Sequence, residues 1–180
     1  VAIISVAICG FLTYRYSYQL INSSLTIRNL ERIAYRDEVT QLRSRALLSN
    51  DAGELLERNI PFYLVFMDLD NFKTINDTYG HKTGDDYLAF FAKEMKLRVG
   101  SLGGFYRIAG DEFVCLYTDE NIGQLIESVQ TLPQTLPNSD VAFLGVSYGY
   151  AQHPKDGTAL DVLMQKADER MYKMKDKNHS

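Results

Sequence analysis

An α/β domain standing behind an apolar N-terminal helix is what the sequence predicts, on three observations. Residues 62–67, Phe-Tyr-Leu-Val-Phe-Met, form a near-continuous apolar run opened by Pro61, the pattern of a central strand buried on both faces. Residues 105–117 are aromatic or β-branched at both ends with Ala-Gly-Asp-Glu between, which reads as two antiparallel strands joined by a tight turn. Helical apolar stripes recur at about 85–98 (Leu88, Phe91, Ala92, Met95, Leu97) and at 160–174 (Leu163, Met164, Ala167, Met171, Tyr172).

Composition bounds the rest. The chain has 180 residues, 46% hydrophobic and 23% charged, which suits one globular domain with its own core plus a short extension. A net charge of −4 with no basic stripe argues against a nucleic-acid partner. Cys9 and Cys115 are far apart in apolar runs, so they read as buried thiols of a reducing compartment. His81, His153 and His179 are scattered, and no zinc-ligand spacing exists.

Residues 1–14 are almost wholly apolar and cover roughly 21 Å as a helix, short of the ~30 Å hydrocarbon core. Because the chain starts at Val1 and not Met, we read residues 1–16 as the last part of a transmembrane helix whose beginning is missing. Tyr14, Arg15, Tyr16 and Tyr18 suit an interfacial belt with a cytoplasmic cation. The alternatives are a buried core helix or a signal-peptide remnant. Residues 17–36 form a linker helix, with Leu20, Ile27, Leu30 and Ala34 on heptad positions and Ser23 as the polar exception. It either pairs two copies in parallel or packs alone on the domain.

Residues 37–45 break that helix, and another runs from about 46 to 58. The strand at 62–67 ends on Asp68-Leu69-Asp70; a helix covers 71–79, a polar turn 80–86, and a Gly-rich turn 99–104 leads into the hairpin. Helix 122–131, loop 133–138, strand 141–151, a turn at Asp156-Gly157 and the closing helix complete the domain.

Four features carry chemistry. Asp111 and Glu112 put two carboxylates side by side at the hairpin mouth, which repel unless protonated or bridged by a cation. Asp68 and Asp70 end a buried strand, a costly place unless exposed, bonded or metal-bound; Asp68 also suits a helix N-cap. An Asn beside an Asp can read guanine, the amide meeting its acceptors and the carboxylate its N1 and N2 donors. Asn76 and Asp85 would do so if the two helices bring them together, although capping uses the same residue types. Lys173, Lys175 and Lys177 suit either a helix C-terminus or a polyphosphate.

Taken together, Asp68-Leu69-Asp70-Asn71-Phe72-Lys73, Asn76-Asp77, Tyr79-Gly80-His81, Gly84-Asp85 and Arg107-Ile108-Ala109-Gly110-Asp111-Glu112-Phe113 resemble the signature of the GGDEF diguanylate cyclases. Ala167-Asp168, Met171-Tyr172 and Lys175 resemble the family's closing helix, and residues 37–45 its opening motif, so the likeness covers 37–177. The resemblance implies a palm-like α+β domain of the nucleotide-cyclase type, a mostly antiparallel sheet flanked by helices. It implies condensation of two GTP into cyclic di-GMP and two pyrophosphate, between two copies of the domain, with Mg²⁺ or Mn²⁺. It assigns Asp68, the Leu69 carbonyl and Asp111 to the metal, and Asp111, Glu112 and Lys73 to catalysis. Asn76, His81, Asp85, Gly110 and Lys175 would bind substrate. It places the catalytic domain on the cytoplasmic side of a bacterial inner membrane.

The chain departs from the family pattern in four places. Ala109 replaces the first motif glycine; if that position needs a positive φ, alanine costs on the order of 1 kcal/mol. This substitution motivates an alternative, a degenerate domain that binds GTP or a partner without catalysis. Gly100-Ser101-Leu102-Gly103 stands where the family's inhibitory product site has Arg-x-x-Asp, so no product inhibition through that site is expected. Ser44 replaces the usual Asn of the opening motif, and His179 an Arg after the closing lysine.

Overall fold

The structure is a computed structural model that describes residues 14–18 and 35–178. The predicted membrane segment and the heptad residues Leu20, Ile27, Leu30 and Ala34 lie outside the described residues, apart from a helical stretch at 14–18. Among the described residues no helix is long and apolar enough to cross a membrane. The chain divides into two units, 1–35 and 36–180, and the second carries the sheet and the helices packed on it.

Among the described residues of the second unit there are five strands and five helices, in the order β1 Arg43–Ser44, α1 Arg45–Glu57, β2 Phe62–Leu69, α2 Phe72–Tyr79, α3 His81–Val99, β3 Gly103–Ala109, β4 Glu112–Tyr117, α4 Ile122–Gln130, β5 Val146–His153 and α5 Leu160–Asn178. The sheet order is β1-β3-β4-β2-β5. Only the short β1–β3 pair is parallel; β2 sits between β4 and β5, antiparallel to both. That is the mostly antiparallel sheet expected.

Strand periodicity divides the core. Even residues of β2, Phe62, Leu64 and Phe66, pack with Leu48 and Ala52 of α1 and with Leu163, Ala167 and Met171 of α5. Odd residues Val65, Met67 and Leu69 pack with Leu88, Phe91, Ala92 and Met95 of α3 and with Leu125 and Val129 of α4. Each fully buried Phe or Leu stabilises the fold by about 1.5–3 kcal/mol. On the α5 side the layers touch backbone to backbone: a Cβ on Gly149 would lie 2.2 Å from the Ala167 carbonyl oxygen. Cys115 is a buried free thiol, and burial pushes its pKa up.

Four boundaries differ from the sequence reading. The polar stretch at 80–86 is no turn; α3 starts at His81, because Gly80 at φ 84° makes the whole corner in one residue. β3 begins at Gly103, inside the predicted turn, where a Cβ would lie 2.1 Å from the Leu116 carbonyl oxygen. The last strand is Val146–His153, not 141–151, since Gly145 at φ 109° turns the chain just before it. The two-residue β1 has no apolar pattern to announce it.

Candidate active site

The β-ladder brings the predicted carboxylates together. Asp68 lies directly opposite Glu112 in the β2–β4 pair, and the Leu69 amide donates to the Asp111 carbonyl at 3.2 Å. By strand parity Asp68 and Glu112 project to the α5 side. Like charges placed directly opposite destabilise a sheet, so this strand end needs a cation. Lys175, reaching back from α5, supplies one: its Nζ bonds Asp68 Oδ1 at 2.5 Å.

The compensation is partial. Burial pushes the Asp111 carboxyl above the ordinary carboxylate range, with Asp68 adding to the rise. Burial also pushes Glu112 up, followed by the charges of Asp68, Asp111 and Asp168. For Lys175, burial acts to lower the pKa, but the hydrogen bond and charge of Asp68, with Asp70 and Asp111, outweigh it and raise the value. The cluster therefore keeps uncompensated negative charge.

Its donor set suits a hard divalent ion. Among the described residues no three His, Cys, Asp or Glu side chains form a ready cluster. The two carboxylates of Asp68 and Asp111 plus the Leu69 carbonyl make a partial oxygen set, leaving positions for phosphate and water, as Mg²⁺ commonly requires. The residues present fit that ion.

Asp70, two residues from Asp68, has a different fate. Ser147 Oγ donates to its Oδ1 at 2.7 Å, and its amide donates to the Gly145 carbonyl at 3.1 Å. It ties the end of β2 to the start of β5. Burial and the Asp70 charge both push the Tyr87 hydroxyl up, to about 12, although the Leu144 amide donates to its oxygen.

The hairpin tip is held by a residue whose role the sequence reading did not assign. Arg107 donates through Nε and Nη2 to the Gly110 carbonyl at 2.9 and 2.7 Å, and through Nη1 to Asp37 Oδ1 at 2.9 Å. Burial pushes Asp37 up, but hydrogen bonds from Thr40 and Arg107 prevail and hold its carboxyl below the usual range. The signal was in the sequence as an Arg three residues before a turn glycine, yet its acceptors lie on different segments. At the tip only Gly110 has a positive φ, 29°; Ala109 does not. A register shift between Arg107 and Ala109 lets Ala109 pair with Glu112 as the last residue of β3.

The α2–α3 helix pair places the other predicted residues. Asn76 lies on α2 and Asp85 in the second turn of α3, and their helices are packed closely enough that a Cβ on Gly84 would lie 2.0 Å from Asn76 Oδ1. Asn76 thus packs against the residue that immediately precedes Asp85. His81 is exposed at this corner, whereas Lys73 is exposed at the opposite end of α2, just after the end of β2; among the described residues neither side chain has a hydrogen-bonding or ionic partner. Asp68, Asp111, Glu112, Gly110 and Lys175 lie at the strand end, Asn76, Asp85 and His81 lie about the α2–α3 corner, and Lys73 stands in the first turn of α2.

The family model "Diguanylate cyclase, GGDEF domain" matches residues 34–180. The probable diguanylate cyclase DgcI of Escherichia coli is 34% identical over 79% of this chain and 31% of its own length. The bifunctional diguanylate cyclase/cyclic di-GMP phosphodiesterase MucR of Pseudomonas aeruginosa is 32% identical over 85% of this chain and 24% of its own. Thus the chain spans less than a third of either relative. The diguanylate cyclase SiaD of Pseudomonas aeruginosa, solved with its activator SiaC, superposes with a TM-score of 0.71 at 27% identity, covering 91% of this chain and 66% of SiaD. The carboxylate end, the Arg107-pinned hairpin and the α2–α3 corner are therefore features of a member of the GGDEF family of diguanylate cyclase domains.

Proposed function

We propose that the chain is a diguanylate cyclase, condensing two GTP into cyclic di-GMP and two pyrophosphate. The observation that carries this reading is the convergence of Asp68, Asp111, Glu112 and Lys175 at one strand end, with the Asp111 and Glu112 carboxyls raised by burial and mutual repulsion. Phosphoryl transfer requires positioning and charge neutralisation more than covalent help, and the site offers both. Asp68, the Leu69 carbonyl and Asp111 would hold Mg²⁺ or Mn²⁺. A divalent ion there supplies neutralisation of the triphosphate and acidifies the ribose hydroxyl.

The chain's own residues do the rest. Asp111 accepts the proton of the ribose 3′-hydroxyl as that oxygen attacks the α-phosphorus of the second GTP. The bond from the α-phosphorus to the bridging oxygen breaks and pyrophosphate leaves; the same exchange by the other 3′-hydroxyl on the first α-phosphorus closes the ring and releases the second pyrophosphate. Glu112 assists at the metal end, and Lys73, His81 and Lys175 hold phosphate oxygens. Asn76 and Asp85 fix the guanine, and Gly110 lets the nucleotide approach the hairpin tip. Among the described residues the chain carries one such set, so two GTP require two copies meeting face to face. The apolar N-terminal run would anchor the protein to the bacterial inner membrane with the catalytic domain in the cytoplasm. No product feedback acts through Gly100–Gly103. Ala109 does not favour the degenerate reading, since its φ is not positive.

Incubation of the full chain with GTP and Mg²⁺, followed by chromatography, should yield cyclic di-GMP, and Asp111→Ala should yield none. Wild-type turnover by Asp111→Ala would refute the assignment of the metal and the base.

A further inference from the structure

Gly84 is an unusual residue to find buried in a helix interior. It lies in α3, where glycine costs up to about 1 kcal/mol relative to alanine. Its φ is not positive, so backbone freedom does not explain it. Space does. A Cβ at this position would lie 2.0 Å from Asn76 Oδ1, 3.0 Å from Asn76 Cγ and 3.4 Å from the Phe72 ring. The Asn76 carboxamide thus lies directly on the Gly84 backbone. That amide is half-buried, and among the described residues its side chain has no hydrogen-bond partner. A half-buried carboxamide with two donors and one acceptor left over is suited to a ligand with complementary polar edges.

We infer that Gly84 is a positioning residue for base recognition: its missing side chain seats the Asn76 amide at the depth where it meets the guanine edge. The inference rests on the reading of Asn76 as a guanine contact. Any side chain at 84 would push the amide outward, away from Asp85 on the next residue, and split the pair that reads the base. Gly84 touches no substrate itself and acts only through Asn76.

The test is a double-mutant cycle read by calorimetric binding of guanosine 5′-(α,β-methylene)triphosphate with Mg²⁺, a ligand that cannot be condensed. Asn76→Ala should weaken binding about tenfold, the loss of a specific hydrogen-bonding group. Gly84→Ala should weaken it about as much, while melting no lower than wild type because alanine is the better helix former. The double variant, in which no amide remains to be displaced, should bind within about twofold of Asn76→Ala. Wild-type affinity in Gly84→Ala, or losses that multiply in the double variant, would overturn the role of Gly84 while leaving the guanine reading intact. Wild-type affinity in Asn76→Ala would instead overturn the guanine reading, and the role of Gly84 with it. Should Gly84→Ala melt lower than wild type, the double variant still decides, since the atom its Cβ would strike is gone.

Discussion

At the strand end, Asp68, Asp111 and Glu112 lie in one another's fields and Lys175 bonds Asp68, whereas at the α2–α3 corner the side chains of Asn76, Asp85 and His81 bond to none of the described residues. The strand end is shaped by charge: ladder register forces like charges together, and the fold tolerates this by placing a half-buried lysine among them. The corner is shaped by volume: two glycines, Gly80 and Gly84, set the angle and the separation of two helices. The first arrangement stores unfavourable energy that a cation relieves. The second carries no such repulsion, and under the proposed function it receives the guanine base. Variants at the strand end should therefore trade stability against turnover, and variants at the corner should change affinity alone.

The largest effect should come from Asp111→Asn. Under the proposed function it removes a metal ligand and a proton acceptor, so product formation should fall by about 10³-fold or more. It also removes one of the repelling carboxylates, so the metal-free domain should melt higher than wild type. Product formation measured beside a melting curve without divalent ions checks both. A variant that loses turnover and also melts lower would break the contrast between the two regions.

Arg107→Ala should come next. Without it the Gly110 carbonyl and the Asp37 carboxylate both lose a partner, and the hairpin tip is no longer tied to the start of the domain. Misplacing Asp111 by an ångström can cost about 10²-fold in kcat with the KM for GTP nearly unchanged. Arg107→Lys, which keeps the charge but not the fork, should recover only part of it. A change in KM alone would place Arg107 with the corner instead.

Lys175→Met sharpens the comparison within the strand end. Under the proposed function it removes a phosphate contact, so turnover should fall on the order of tenfold. It also leaves Asp68 without its bonded cation. Mn²⁺ should then bind more tightly than to wild type when no nucleotide is present, as read by the paramagnetic signal of free Mn²⁺. Weaker Mn²⁺ binding would mean that Lys175 supports the metal site and does not compete with it.

Legibility in the sequence divides along the same line. The apolar run at 62–67 and the aromatic-flanked hairpin announced two strands and their carboxylates, because period and turn chemistry are local signals. Ladder register is not local: nothing in Asp68 or Glu112 alone says that they face each other. The polar residues at 80–86 resemble a turn in sequence, whereas in the structure Gly80 makes the bend by itself and α3 starts at His81. Asp70 resembles Asp68 in sequence, and only the structure shows that Ser147 bonds Asp70 while Lys175 bonds Asp68. Arg107 stands three residues before its acceptor Gly110, a local signal, but nothing near it points to Asp37 at the start of the domain.

The smallest effect is a pH dependence of opposite sign in two parts of the hairpin region. Asp111 and Glu112 have raised pKa values, so the folded state holds their protons more tightly than the unfolded chain. Their contribution to stability is fully present below the ordinary carboxylate pKa, about 4, and is lost as the pH rises through the raised values. Asp37 has a lowered pKa, so its contribution is present above the ordinary value and lost as the pH falls through the lowered one. Urea midpoints across that acid range, without divalent ions, should show the neutral-side loss shrinking in Asp111→Asn and the acid-side loss shrinking in Arg107→Ala. Adding Mg²⁺ at neutral pH should restore what wild type loses and do little for Asp111→Asn. If Mg²⁺ shifted both midpoints alike, the repulsion at the strand end would not be what the ion relieves, and charge would no longer separate that region from the corner.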